Sequence, residues 1–301
     1  MNFSEARAEV MQLLNRVDPR DLQKVLNWIR TSDQLDELLS DNRKVILQNI
    51  SEHLRVRLPP EAMLPSETTA YSKMQQRIRP TLHVDGFLYD EDQVDALCEE
   101  GTMSRSYCLS CGSYRTAPLD FLSHSFSVSE LQFLFENVLP DLSGRTLVDV
   151  GSRLGAVLYG GHVFSSASRL VGLEINEEFV KLQQEVLNKY KMTDRTQVLH
   201  TDVCLQNILL QNADVLIMNN VFEFFMEPSE QVGAWRFIME NFRKKGALLV
   251  TVPALEDSLN ALQQGALQPG WVEELPVDYD VYLGRDVDPE ALRQIHLYRV
   301  I

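Results

Sequence analysis

No apolar run in this 301-residue chain approaches the roughly 20 residues that a membrane-spanning helix requires. The opening segment MNFSEARAEV lacks the basic-then-apolar order of a secretory leader. Cysteine is scarce: Cys98, Cys108, Cys111 and Cys204 are too few to staple a chain of this length and suit a reducing compartment. Glycine (14) and proline (12) form no repeating tract, which excludes collagen-like and low-complexity classes. Positive charge is in deficit, with 28 Lys and Arg against 43 Asp and Glu, so the net charge of −15 opposes non-specific attraction to nucleic acid or an anionic membrane. The expectation is a cytoplasmic or nuclear protein without membrane attachment or direct nucleic-acid binding, whose partner is a protein or a small molecule.

With 45% hydrophobic and 24% charged residues, the chain has the composition of an ordinary globular protein, long enough for about two domains. Over residues 3–57, Val10, Leu13, Leu14 and Val17, then Leu22, Val25, Leu26 and Ile29, recur at helical spacing and predict a bundle of three or four helices in residues 1–58. The prolines between Leu58 and Ser66 mark a linker, and residues 59–127 form a mixed intermediate segment. From 128 onward the pattern alternates. Strands are predicted at 146–150, 170–175, 196–200, 213–219, 247–252, 271–277 and 296–301, and helices at 128–139, 155–168, 177–191 and 232–242. Buried strands separated by helices build a doubly wound, mostly parallel seven-stranded sheet of Rossmann-like type, following an N-terminal helical domain.

The first of these strands ends in Asp149-Val150-Gly151-Ser152-Arg153-Leu154-Gly155. Its glycines allow a tight turn that brings backbone N–H groups and a helix start against an anionic ligand group. The dinucleotide fingerprint G-x-G-x-x-G does not fit, because the glycine after Gly151 is Gly155. Glu174 closes the second strand, 23 residues after Gly151, where a carboxylate can accept hydrogen bonds from ribose hydroxyls. Asp202, after the third strand, can accept from an exocyclic amine or cap a helix.

Together, segments 147–155, 171–176, 200–203 and 214–220 resemble the successive signatures of class I S-adenosylmethionine-dependent methyltransferases, over roughly residues 128–301. The resemblance implies that S-adenosyl-L-methionine is the cofactor. Asp149, Gly151, Ser152 and Gly155 would lie along its methionine part, Glu174 at the ribose, and Asp202 with Val203 at the adenine. It also implies a closing strand hairpin over 271–301. Asn219-Asn220 and the Asp-x-Gly-Ser run are similar to the Dot1-like lysine methyltransferases, which implies a protein nitrogen as acceptor. Asn219, with Asn220 beside it among the catalytic residues, would then hydrogen-bond the incoming nucleophile or the cofactor, while Phe222 and Phe224 exclude water. A turn of two asparagines with core phenylalanines fits the same residues. A cofactor-binding but inactive adaptor, or a methyltransferase of RNA or a small molecule, are the alternatives.

The family's usual middle glycine is replaced by Arg153, which either pairs with the cofactor carboxylate or points to solvent. Glu223 could orient an acceptor lysine, although a helix-start carboxylate is the commoner role. Cys108 and Cys111 have the spacing of one zinc knuckle, with Cys98, His83 and His124 nearby in sequence, but half a site predicts ordinary thiols and no bound metal. Residues 122–127, just before the first helix of this domain, read as a polar loop anchored by Phe126 or as a lid over the cofactor.

Overall fold

The computed structural model describes residues 3–59, 61–77, 79–110, 112–260, 270–281 and 289–301. The chain divides into two compact units, Met1–Ile46 and Leu47–Ile301. The first holds helices α1 (Phe3–Asn15) and α2 (Pro19–Thr31) and the beginning of α3 (Asp33–Arg55). Asp18 starts α2 by accepting the Arg20 backbone N–H at 2.8 Å, and Pro19 occupies the first helical turn, where its missing N–H costs nothing.

In the larger unit, α3 ends with Leu47, Ile50 and Leu54 fully buried. The segment that sequence patterning leaves unassigned forms α4 (Thr68–Gln75), β1 (Thr81–His83), α5 (Glu91–Glu99), β2 (Ser106–Cys108), β3 (Thr116–Pro118) and β4 (Asp120–Leu122). β1 pairs with β4 in parallel, and β2 pairs with β3 as a hairpin. Their three-residue length explains why no periodicity betrays them.

The remainder is the doubly wound unit: α6 (Val128–Phe133), β5 (Thr146–Val150), α7 (Ala156–Phe164), β6 (Arg169–Glu174), α8 (Glu177–Lys189), β7 (Thr196–His200), α9 (Asn207–Asn212), β8 (Val215–Asn219), α10 (Pro228–Asn241), β9 (Leu248–Val252), α11 (Leu255–Asn260), β10 (Val272–Leu275), α12 (Pro289–Leu292) and β11 (His296–Val300). The seven strands are ordered β10-β11-β9-β8-β5-β6-β7, with β11 antiparallel to both of its neighbours and the other pairings parallel. The central strands are mostly apolar because helices cover both faces, and Val148, Val171, Leu216 and Leu249 are wholly shielded. The helix expected over 128–139 is α-helical only to Phe133 and widens into a π turn over Leu134–Val138. Among the described residues no helix is long and apolar enough to cross a membrane.

Candidate cofactor and acceptor site

Parallel strands align their carboxyl ends along one edge of the sheet, and the crevice there is the usual ligand position of open α/β folds. Along that edge, in the order β7, β6, β5, β8, stand Asp202, Glu174, Gly151 and Asn219. All four line one cavity of about 400 Å³. Val203 and Phe222 line it as well.

The turn after β5 is held from two sides. The N–H groups of Gly151 and Ser152 both donate to the Leu173 carbonyl, at 2.8 and 3.0 Å, which locks the loop to the end of β6. From α8, the buried Gln183 accepts the Ser152 hydroxyl at 2.9 Å and donates to the Arg153 carbonyl at 2.8 Å. Gly151 has φ of +69°, and a Cβ there would stand 3.1 Å from Val221, so its backbone faces the segment after β8 without an intervening side chain.

Arg153 takes neither of the two courses open to it from sequence. Its backbone is left-handed, with φ of +44°, and its N–H donates to Glu174 Oε2 at 2.8 Å. Its guanidinium is buried and spent on the segment before the sheet: Nε donates to Glu67 Oε1 at 2.9 Å, Nη1 to Asp85 Oδ2 at 2.8 Å, and Nη2 to the Ala62 carbonyl. Its charge also lies 5.2 Å from the Phe179 ring centre. Asp85 in turn accepts from Ser125 Oγ at 2.7 Å and from the backbone of Phe87 and Leu88. Arginine at this position is therefore a clamp that fastens residues 62–125 to the loop.

Glu174 accepts from Arg153 N and, through Oε1, from Asn176 N at 2.7 Å. Burial nevertheless pushes its carboxyl above the usual range. With the Ile175 backbone as a third hydrogen-bond partner, the carboxylate keeps about one lone pair for a hydroxyl donor. Asp149 is deeper: burial, then the charge of Glu174, pushes its carboxyl well above the usual range, and it does not line the cavity. Ser152, Gly155 and Asn220 are likewise outside the lining. Gly155, with φ of +86°, starts α7 against the Tyr159 ring, and Asn220 Nδ2 donates to Asn219 Oδ1 at 3.1 Å. Asp202 combines both readings of it, capping a short 3₁₀ turn through Cys204 N at 2.8 Å while lining the cavity.

The aromatics are also dual. Phe222 packs edge-on against Trp235, with ring centres 5.6 Å apart, and lines the cavity from within the core. Glu223 is tied to Ser258 Oγ at 2.7 Å and is not part of the lining.

The cavity is also lined by Ser66, Glu67, Thr69 and Ala70, which sequence reasoning missed, and by His124. Glu67 stands in a turn that the prolines disguised as a linker. The signal available was His124 in the segment read as loop or lid. That segment is pinned: Ser123 Oγ accepts from Gly86 N at 2.8 Å, and Phe126 is buried. Lys73 Nζ donates to the Glu223 and Met226 carbonyls, at 3.0 and 2.5 Å, tying α4 to the segment after β8. Among the described residues no group of three or more His, Cys, Asp or Glu side chains could hold a metal, and Cys111 lies outside those residues.

No family model and no curated protein sequence matches the chain. Solved structures similar to it include an RNA methyltransferase from Salinibacter ruber in complex with S-adenosyl-L-homocysteine, at 16% identity and a TM-score of 0.36 over 57% of this chain and 88% of that one. A methyltransferase from Geobacter sulfurreducens is similar at 19% identity and a TM-score of 0.37, over 57% of this chain and 78% of that one. An O-methyltransferase from Bacillus cereus, also in complex with S-adenosylhomocysteine, is similar at 14% identity and a TM-score of 0.39, over 60% and 84%.

Proposed function

We propose that this chain is an S-adenosylmethionine-dependent methyltransferase whose acceptor is a nitrogen on a protein. The observation that carries the reading is the convergence of Gly151, Glu174 and Asp202, from three adjacent parallel strands, on one cavity. In this reading Asp202 and Val203 meet the adenine, Glu174 the ribose hydroxyls and the bare backbone of Gly151 the methionine part. Asp149, Ser152 and Gly155 shape the loop from behind.

The donor set fits a cationic nucleoside. Glu174, Asp202 and Glu230 line the cavity, while the Arg153 guanidinium that also lines it is already paired with Glu67 and Asp85. Such a lining favours a ligand carrying positive charge. The cofactor supplies a methyl group already activated on a sulfonium, so the protein's task is to align a lone pair and keep water out. Asn219, Phe222 and Phe225 stand on the β8 side of the cavity, where the acceptor would enter. The protein nitrogen is supported by the Asn219-Asn220 pair and by the excess of 24 acidic over 14 basic side chains in residues 126–301, which suits a basic partner.

Calorimetry with S-adenosylhomocysteine tests the cofactor assignment, and Glu174→Ala is expected to abolish the binding. Transfer of radiolabelled methyl into a cell lysate, split into protease-treated and ribonuclease-treated arms, tests the acceptor. Label that survives protease and is lost to ribonuclease would overturn the protein acceptor. Binding without label in either arm would favour the adaptor reading.

A further inference from the structure

Helix α4 is fastened at its two ends to two different strand ends. Just before it, Ser66 Oγ accepts from Asn176 Nδ2, after β6, at 2.8 Å. In its last turn, Lys73 Nζ donates to the carbonyls of Glu223 and Met226, after β8, at 3.0 and 2.5 Å. β5 lies between β6 and β8 in the sheet, so the two ties stand two strand spacings apart, about 10 Å. A helix running from Ser66 to Lys73 rises about 10 Å as well. α4 therefore crosses the carboxyl ends of β6, β5 and β8, where Glu174, Gly151 and Asn219 stand, and Thr69 and Ala70 line the cavity from it.

The two ends of α4 are held with different strength. Glu67, at its start, shares a buried ion pair with Arg153, which is costly to break. Lys73 is half-buried and its partners are backbone carbonyls, while the Glu223 carboxylate turns to Ser258. An ammonium held by carbonyls at a wet boundary loses little on release, because water replaces them. The Ser66 tie is exposed and equally replaceable. Leu173 and Glu174 line the cavity but are only 1% and 6% exposed. A molecule the size of a nucleoside reaches them when part of the rim yields, and α4 is the part with one weak end.

We propose that α4 is a strap, hinged at Glu67 and latched by Lys73, that swings off the β8 end to pass ligands into and out of the cavity. The identity of those ligands rests on the cofactor reading, whereas the motion does not.

With S-adenosylhomocysteine as the probe, surface plasmon resonance on the full chain is expected to show Lys73→Met raising the association and dissociation rate constants together. Each rises about tenfold, the equivalent of one charge-assisted hydrogen bond, and the dissociation constant stays within about threefold. Lys73→Arg, which keeps a cationic donor, is expected to stay within about threefold of wild type in both rates. Unchanged rates in Lys73→Met overturn the latch. Faster dissociation alone overturns it too, because it would make Lys73 a ligand contact.

Hydrogen exchange of wild-type protein needs no variant to fold. The eight residues of α4 form no stable helix in isolation, so a strap that swings free also frays. Without ligand its amides are expected to exchange at least about tenfold faster than those of β5 and β8, and S-adenosylhomocysteine to slow them. Exchange of α4 only at the rate of those central strands overturns the strap with the cofactor site intact. Wild-type protein that binds no S-adenosylhomocysteine overturns the cofactor reading, and the exchange rate of α4 then decides the strap by itself.

Discussion

Arg153 Nε lies 2.9 Å from Oε1 of Glu67, a residue 86 positions earlier, and both side chains are buried. The pair joins the glycine turn of the sheet to the segment that roofs the cavity, and Asp85 shares the same guanidinium. A buried charge is tolerated only while its partner remains. Arg153→Ala strands Glu67 and Asp85 and is expected to destabilise the larger unit by about 3–5 kcal/mol in urea unfolding. Arg153→Ala combined with Glu67→Gln is expected to cost less than the sum of the two changes, because each removes the other's reason for being charged. Strict additivity would show that the clamp contributes nothing.

Glu174 has both oxygens engaged by the backbone N–H groups of Arg153 and Asn176, with the Ile175 backbone as a third partner. Glu174→Gln replaces one acceptor by a donor that faces the Arg153 or Asn176 N–H. The expected outcome is loss of the thermal shift produced by S-adenosylhomocysteine. In wild-type protein the ligand at 100 times its dissociation constant adds about 2.7 kcal/mol. A full shift in the variant would remove Glu174 from the site.

Two buried histidines make the stability of the larger unit depend on pH. His124 and His83 both have pKa values pushed below 6.5 by burial first, then by neighbouring charge, His83 and Arg153 acting on His124 and Arg153 on His83. Below 6.5 these two imidazoles bind more protons in the unfolded chain than in the folded one, so their contribution to stability falls as pH drops toward the folded values, while the raised carboxyls of Asp149 and Glu174 act in the opposite sense. Each histidine contributes up to about 1.4 kcal/mol per pH unit in that window and nothing above it. His124→Phe should flatten the slope of unfolding free energy between pH 6.5 and 5.5 by up to one proton. An unaltered slope would mean that His124 titrates normally.

Phe222 belongs to the main apolar cluster through Trp235 and also faces the cavity. Phe222→Ala is expected to cost about 3–5 kcal/mol in stability, by lost burial and the cavity left behind. Phe222→Leu keeps most of that volume. If water exclusion is a separate contribution of the ring, the leucine variant should retain the fold by thermal melting and lose methyl transfer more than cofactor affinity. Equal retention of both would assign Phe222 to packing alone.

Periodicity and strand-end chemistry made the doubly wound unit legible before any coordinates. Buried parallel strands write themselves as short apolar runs, and Gly151, Glu174, Asp202 and Asn219 each stand at the end of one or within two residues of it, so their strand ends place them along a common edge. The sequence-based strands at 146–150 and 196–200 coincide with β5 and β7, and the others differ from the observed strands only at their ends. The same local logic could not see Leu255–Asn260, whose six residues are too few to show a helical periodicity.

The sequence by itself determined the net negative charge, the scarcity of thiols and the succession of strands and helices after residue 128. Only the tertiary structure decided where the Arg153 guanidinium goes, that Asp149 retreats behind the cavity, and that Glu67 and His124 line it. The physical reason is range. Hydrophobic period and turn chemistry act over a few residues, whereas a buried charge or an unpaired imidazole is defined by partners brought from 68 or 86 positions away, which no local pattern records.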